Sequence, residues 1–119
     1  MKKIKKSDTV YLSEYDVHVN KYLTSSQIQA IANAMAQFDT WAEREQNKAM
    51  LTLFFATDIT KEEIEKTEYS LFEESGLIEA VCCCIENYSK IDKAVEYEES
   101  TDKALRAALK EIQNEQRSN

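Results

Sequence analysis

The chain has no proline, a single glycine and a single histidine in 119 residues. Each shortage excludes something. Folds built from strands need turn residues between many short segments, so a chain whose only glycine is Gly76 points to helices. A glycine-rich phosphate loop is impossible. Catalytic Cys–His or Ser–His pairs would all have to use His18. That residue stands between two valines in an alternating stretch and reads as a surface or packing residue. No stretch approaches the ~20 apolar residues of a membrane span. The opening "MKKIKK" has no apolar run behind it, as a secretory signal would. Three cysteines, an odd number without such a signal, fit a reducing cytosol.

What is present is ordinary for a folded domain: 43% hydrophobic and 31% charged residues. At this length one domain is expected, burying roughly two-thirds of the unfolded surface. The net charge of -7 excludes a broad basic face for nucleic acid. Charge is uneven. Asp58 to Glu99 holds 13 acidic and 4 basic residues, a net of -9, whereas the first six residues carry four lysines.

Residues 1–23 read as an N-terminal arm or short extended segment, and 24–119 as a helical domain. In "YDVHVNKYL", Val17 and Val19 alternate with polar residues, which is strand-like. "TVYLS" is a candidate partner strand, although no Asn-Gly or Asp-Gly turn joins them. From Thr24 the pattern is helical. Thr24 with Gln27, Thr40 with Glu43 and Thr60 with Glu63 are three capping-box pairs. The first opens a helix with Ile28, Ile31, Met35 and Phe38 at helical spacing. The second opens "WAEREQNKAMLTLFFA", whose apolar end reads as a central helix, with Trp41, Leu51, Phe54 and Phe55 serving the core. In the same segment Arg44 has acids at helical spacing and reads as part of a salt-bridged face. Gly76 sits where a helix C-cap glycine belongs. The stretch after it is one long helix or two broken near Asn87 to Ser89, ending at "EYEES". A last helix carries Leu105, Leu109 and Ile112 as a narrow stripe. The expected fold is therefore mainly α, a single-domain bundle of about four to six helices with an irregular or short-hairpin N-terminal segment.

The cysteines are consecutive: Cys82, Cys83 and Cys84. Successive helical residues point about 100° apart. With Ile85 as the centre of the buried face, Cys82 falls in the core, Cys84 at the boundary and Cys83 outward. Residues that splay so cannot chelate one zinc ion or form a good disulfide with each other. They read as two packing cysteines and one exposed thiol. A lipidated or redox-sensing Cys83 is the alternative. The glutamates at 62, 63, 65 and 68 lack the spacing and glycine of a calcium loop and read as a solvated helix face.

No nucleophile with its base, and no convergent carboxylates, assemble in this pattern. The expectation is a non-enzyme with no catalytic residue, no metal and no cofactor. "KSDTVYLSEYDV", "KYLTSSQIQAIANAM", "FDTWAEREQNKAMLTLFFATDI", "SGLIEAV" and "AVEYEESTDKAL" together resemble small acidic helical proteins of tailed bacteriophages of Gram-positive bacteria. That resemblance implies a virion structural or assembly role in the head, neck or tail. It further implies residence in the host cytoplasm during assembly and in the particle, with protein partners that are other virion proteins or copies of itself. Neither direct nucleic-acid binding nor membrane contact is expected. The candidate partner-binding residues are Lys2, Lys3, Ile4, Lys5 and Lys6, a cationic arm before an acidic body. The alternative is an anti-defence or regulatory protein whose acidic surface mimics nucleic acid and binds a host protein.

Overall fold

The computed structural model describes residues 8–117, leaving aside the side chains of Asp102 and residues 114–117. The cationic arm, Lys2 to Lys6, lies outside the described residues. In chain order come β1 (Thr9–Leu12), β2 (Val17–Asn20), α1 (Ser25–Ala36), α2 (Trp41–Ala56), α3 (Lys61–Lys66), α4 (Tyr69–Glu74), α5 (Leu77–Cys84) and α6 (Lys90–Arg117). This is the expected mainly helical architecture with a short N-terminal hairpin.

The hairpin is antiparallel, Thr9 opposite Asn20 and Leu12 opposite Val17. Its four-residue turn needs no Asn-Gly, because Asp16 takes the left-handed conformation, φ 52°. Aspartate tolerates it better than most residues. Tyr11 holds the turn by donating its hydroxyl to the Asp16 carboxylate at 2.7 Å. Alternation turns Val17 and Val19 into the core and His18 outward. An isolated two-stranded hairpin is marginal in water. This one is supported by the end of α2, where Val19 pairs with Thr57 and the Asp58 N–H donates to the His18 carbonyl at 3.3 Å.

Capping follows the sequence closely. Thr24 and Thr60 form complete capping boxes with Gln27 and Glu63. Thr40 forms the forward half, accepting from the Glu43 N–H at 3.3 Å. Gly76, φ 79°, closes α4 by donating to the Glu73 carbonyl and opens α5 by accepting from Ala80. A Cβ there would meet the Tyr15 hydroxyl at 3.2 Å. That hydroxyl donates to the Ser75 carbonyl at 2.7 Å, so both conformation and space favour glycine.

The break between α5 and α6 falls where expected. Ile85 is extended, and the Asn87 side-chain amide clasps the backbone of Leu23. It accepts from the Leu23 N–H at 2.9 Å and donates to the Leu23 carbonyl at 2.8 Å. This starts α1 and α6 side by side and pointing the same way. Gln29 then donates to Glu98, and Arg44 pairs with Glu99. The core gathers Val17, Val19, Leu23, Ile28, Ile31 and Met35 with Leu53, Ile64, Phe72, Val81, Ile85, Ile91 and Val95.

Three expectations are corrected. Trp41 does not serve the core; it is 75% exposed, at the first position of α2. Phe54 is also exposed, while Leu51 and Phe55 are only partly covered. The buried face of α2 is Lys48, Ala49, Thr52, Leu53 and Ala56. Leu53 is inserted between Ala49 and Ala56 on this face, while Phe54 of the same apolar run is turned outward. Lastly, "EYEES" is not a helix end. It lies inside α6, which runs unbroken for 28 residues.

Leu53→Ala should lower the unfolding free energy by ~2–5 kcal/mol, as core leucine truncations do. Trp41→Ala should change it by no more than ~0.5 kcal/mol, as exposed substitutions do. Urea titrations of both variants check this. A Trp41→Ala loss as large as that of Leu53→Ala would mean that the α2 corner is buried.

Candidate interaction surface

α6 is longer than anything that packs beside it. Its first turns bury Ile91 and Val95. α1 ends at Ala36, and Ala36 and Gln37 line a cleft of about 570 Å³ with Arg44, Glu99, Lys103 and Arg106. Past that cleft every described side chain of α6 is exposed. The radius of gyration, 18.4 Å, exceeds the ~13–14 Å of a compact chain this long. The molecule measures 68 Å along its longest axis and 22 Å along its shortest.

Four of the chain's exposed large hydrophobic residues lie on this helix: Tyr97, Leu105, Leu109 and Ile112, between 52% and 71% exposed. At about 100° per residue they fall within a sector of roughly 120°. Thr101 belongs to the same sector, and a shallow groove of about 170 Å³ runs between Tyr97, Glu98, Thr101 and Leu105. Scattered exposed apolar residues are normal. A stripe on one face of a projecting helix is the arrangement that marks a contact surface. A second apolar groove, of about 310 Å³, lies between α2 and α3, lined by Met50, Leu51, Phe54 and Ile64.

Two polar clusters carry titratable groups. At the hairpin, His18 Nδ1 donates to Asp58 at 2.9 Å, the His18 backbone N–H donates to the same carboxylate at 3.0 Å, and the Tyr11 ring lies 4.7 Å from the imidazole. Partial burial pushes the Asp58 carboxyl up. The hydrogen bonds from His18 and from its own backbone outweigh that and leave it below the usual range. The second cluster was not legible as a site. Lys48 is buried on α2, with Nζ 2.9 Å from Asp92 and 4.6 Å from the centre of the Tyr88 ring. Cys82 lies beside Tyr88, and burial pushes the Cys82 thiol up. Burial likewise holds the Tyr88 phenol far above its usual range. The only sequence signal was a lysine four residues before Thr52 on what proves to be the buried face.

The cysteines follow the helical wheel with one correction. Cys83 is exposed and Cys84 packs against the core, but Cys82 is only half-buried. Because Ile85 leaves the helix, the buried face centres on Leu77 and Val81. That rotates Cys82 away from the core and Cys84 toward it. Arg44 is ion-paired, and its Nε donates to the Phe38 carbonyl at 2.7 Å. Glu62 and Glu65 pair with Lys66 and Lys61 on the exposed face of α3. Among the described residues, no three His, Cys, Asp or Glu side chains come together as a metal site requires. No described helix is long and apolar enough to cross a membrane. Searches of protein families, curated proteins and solved structures give no match to this chain.

Two measurements follow from these geometries. Native thiol labelling should modify Cys83 before Cys82, because Cys83 is exposed whereas burial covers Cys82 and pushes its thiol up; equal rates would place Cys82 at the surface. Asp58 has a lowered folded pKa, so its contribution to stability is complete above its unfolded value of ~3.9 and is lost as pH falls through the folded value. The stability difference between the wild type and Asp58→Asn should therefore be constant above about pH 5 and shrink in acid. A difference independent of pH down to about pH 2 would exclude this role.

Proposed function

We propose that the protein is a non-enzymatic assembly protein that works through protein–protein contacts, with the outer half of α6 as its docking element. A virion structural or assembly role is the setting that the resemblance of the sequence implies. The observation that carries the proposal is the stripe of Leu105, Leu109 and Ile112, exposed on a helix that extends beyond its own bundle. Their spacing, i, i+4 and i+7, is that of a helix laid into an apolar groove of a partner. Burying half-exposed leucine and isoleucine side chains supplies the drive. A second reading, an acidic protein that occupies a basic groove of a host protein, is favoured by the exposed glutamates at 62, 63, 65, 68, 73, 74, 79 and 86 on and around α3, α4 and α5.

The test is co-purification of the tagged full chain with the capsid, portal and tail proteins of a phage whose genome encodes it. The wild type should bind one of them, and Leu105→Glu/Leu109→Glu should lose at least ~tenfold in affinity, ~1.4 kcal/mol, with unchanged circular dichroism. Equal binding by the variant would overturn the docking role of α6. Binding instead to a host nucleic-acid-binding protein, in competition with DNA, would establish the second reading.

A further inference from the structure

We propose that the outer face of α6 pairs with the same face of a second copy, antiparallel and centred on Leu105. This rests on the reading of that face as a protein-binding surface and adds the identity of its occupant.

Three observations point to a second copy. The first is spacing. Placed antiparallel with Leu105 against its own counterpart, Thr101 lies opposite Leu109 of the second copy, and Glu98 lies opposite its Ile112, one residue from Tyr97. Leu105, Leu109 and Ile112 of one copy then all fall along the Tyr97, Glu98, Thr101 and Leu105 surface of the other, and a two-fold contact needs such self-complementarity. The second is shape. In that register the outer turn of each helix lies along the shallow groove of Tyr97, Glu98, Thr101 and Leu105, which continues the stripe back toward the body. The contact thus spans Tyr97 to Ile112, about 22 Å of helix at 1.5 Å per residue, rather than three side chains.

The third is charge. Residues 100–117 carry four basic residues (Lys103, Arg106, Lys110, Arg117) and three acidic ones (Asp102, Glu111, Glu115), a net of +1, against the net of -9 from Asp58 to Glu99. Antiparallel pairing sets the outer half of each α6 beside the acidic end of the other copy and keeps the two acidic bodies at opposite ends. Parallel pairing would bring those bodies side by side, where like charges repel. Stable interfaces bury ~1,200–2,000 Å² in total, and weak ones less. A single pair of helices of this length belongs to the weak class, so the dimer should dissociate on dilution.

Sedimentation equilibrium of the full chain from ~10 µM to ~1 mM, the range of weak association, should show the mass rising from 13.8 kDa toward twice that value. Leu105 is exposed in the single chain, so Leu105→Glu should keep the fold by circular dichroism and remain monomeric throughout. Orientation is read by oxidative cross-linking in a Cys83→Ser background. Leu105→Cys should form a disulfide-linked dimer, and Ile112→Cys, which lies opposite Glu98 of the other copy and about 21 Å along the helix from its own counterpart, should not. A monomer at every concentration, a dimer indifferent to Leu105→Glu, or equal cross-linking at both positions would each overturn the proposal. A chain that stays monomeric yet binds a virion protein through Leu105 and Leu109 would remove the second copy and leave the assembly role standing. A dimer that binds no virion protein would do the reverse.

Discussion

α1 is 12 residues long and α6 is 28, and most of the molecule's character depends on that mismatch. The two helices start together because the Asn87 amide clasps the Leu23 backbone, and they run in the same direction. α1 buries Ile31 and Ala32 completely and supplies the centre of the bundle. It can shield α6 only for its own length. At 1.5 Å per residue the difference is about 24 Å of helix, along which every described side chain is exposed. The body is thereby a small bundle, and the remainder is an exposed amphipathic rod.

Such a rod is unusual in energetic terms. An isolated helix shorter than ~12–15 residues is marginal in water, but the outer half of α6 need not nucleate. It propagates from turns already held by Ile91 and Val95 in the core. Its residues are good helix formers, with Ala104, Ala107 and Ala108 among leucines and long charged side chains. Stability of the body and availability of the stripe are therefore separable: substitutions at Leu105 or Leu109 act on the surface, and substitutions at Leu53 act on the fold. That separation is what allows a contact function to be examined without loss of the protein.

The buried polar corner at Lys48 follows a different logic. Its ammonium lies beneath Tyr88 and reaches Asp92, whose side chain remains largely in water. A lysine in this position keeps its charge satisfied while its stem fills space between α2 and the start of α6. Cys82 borders the same corner, which explains why a residue assigned by the wheel to the apolar core is half-buried among polar neighbours. The triplet of cysteines is thus divided among three environments: polar corner, solvent and core edge.

The sequence by itself determined the fold class and several element ends, though not that of α6, which runs on through "EYEES". Scarcity of glycine and proline excluded a strand-rich fold, the threonine caps marked three helix starts, and Gly76 marked the turn between α4 and α5, because each of these is a local interaction within a few residues. Alternation at Val17 and Val19 likewise marked β2. Tertiary structure alone decided which side of each helix is inside. Phe54 belongs to an apolar run that offers more than one face, and only the packing of α2 against α1, α3 and α5 chose the face of Ala49, Leu53 and Ala56 over that of Phe54. The buried Lys48 needed Asp92 and Tyr88, more than 35 residues away in the chain. The stripe on α6 was visible as spacing, but spacing cannot say whether a helix has a neighbour; that depends on where α1 stops, and so on contacts that only the folded chain makes.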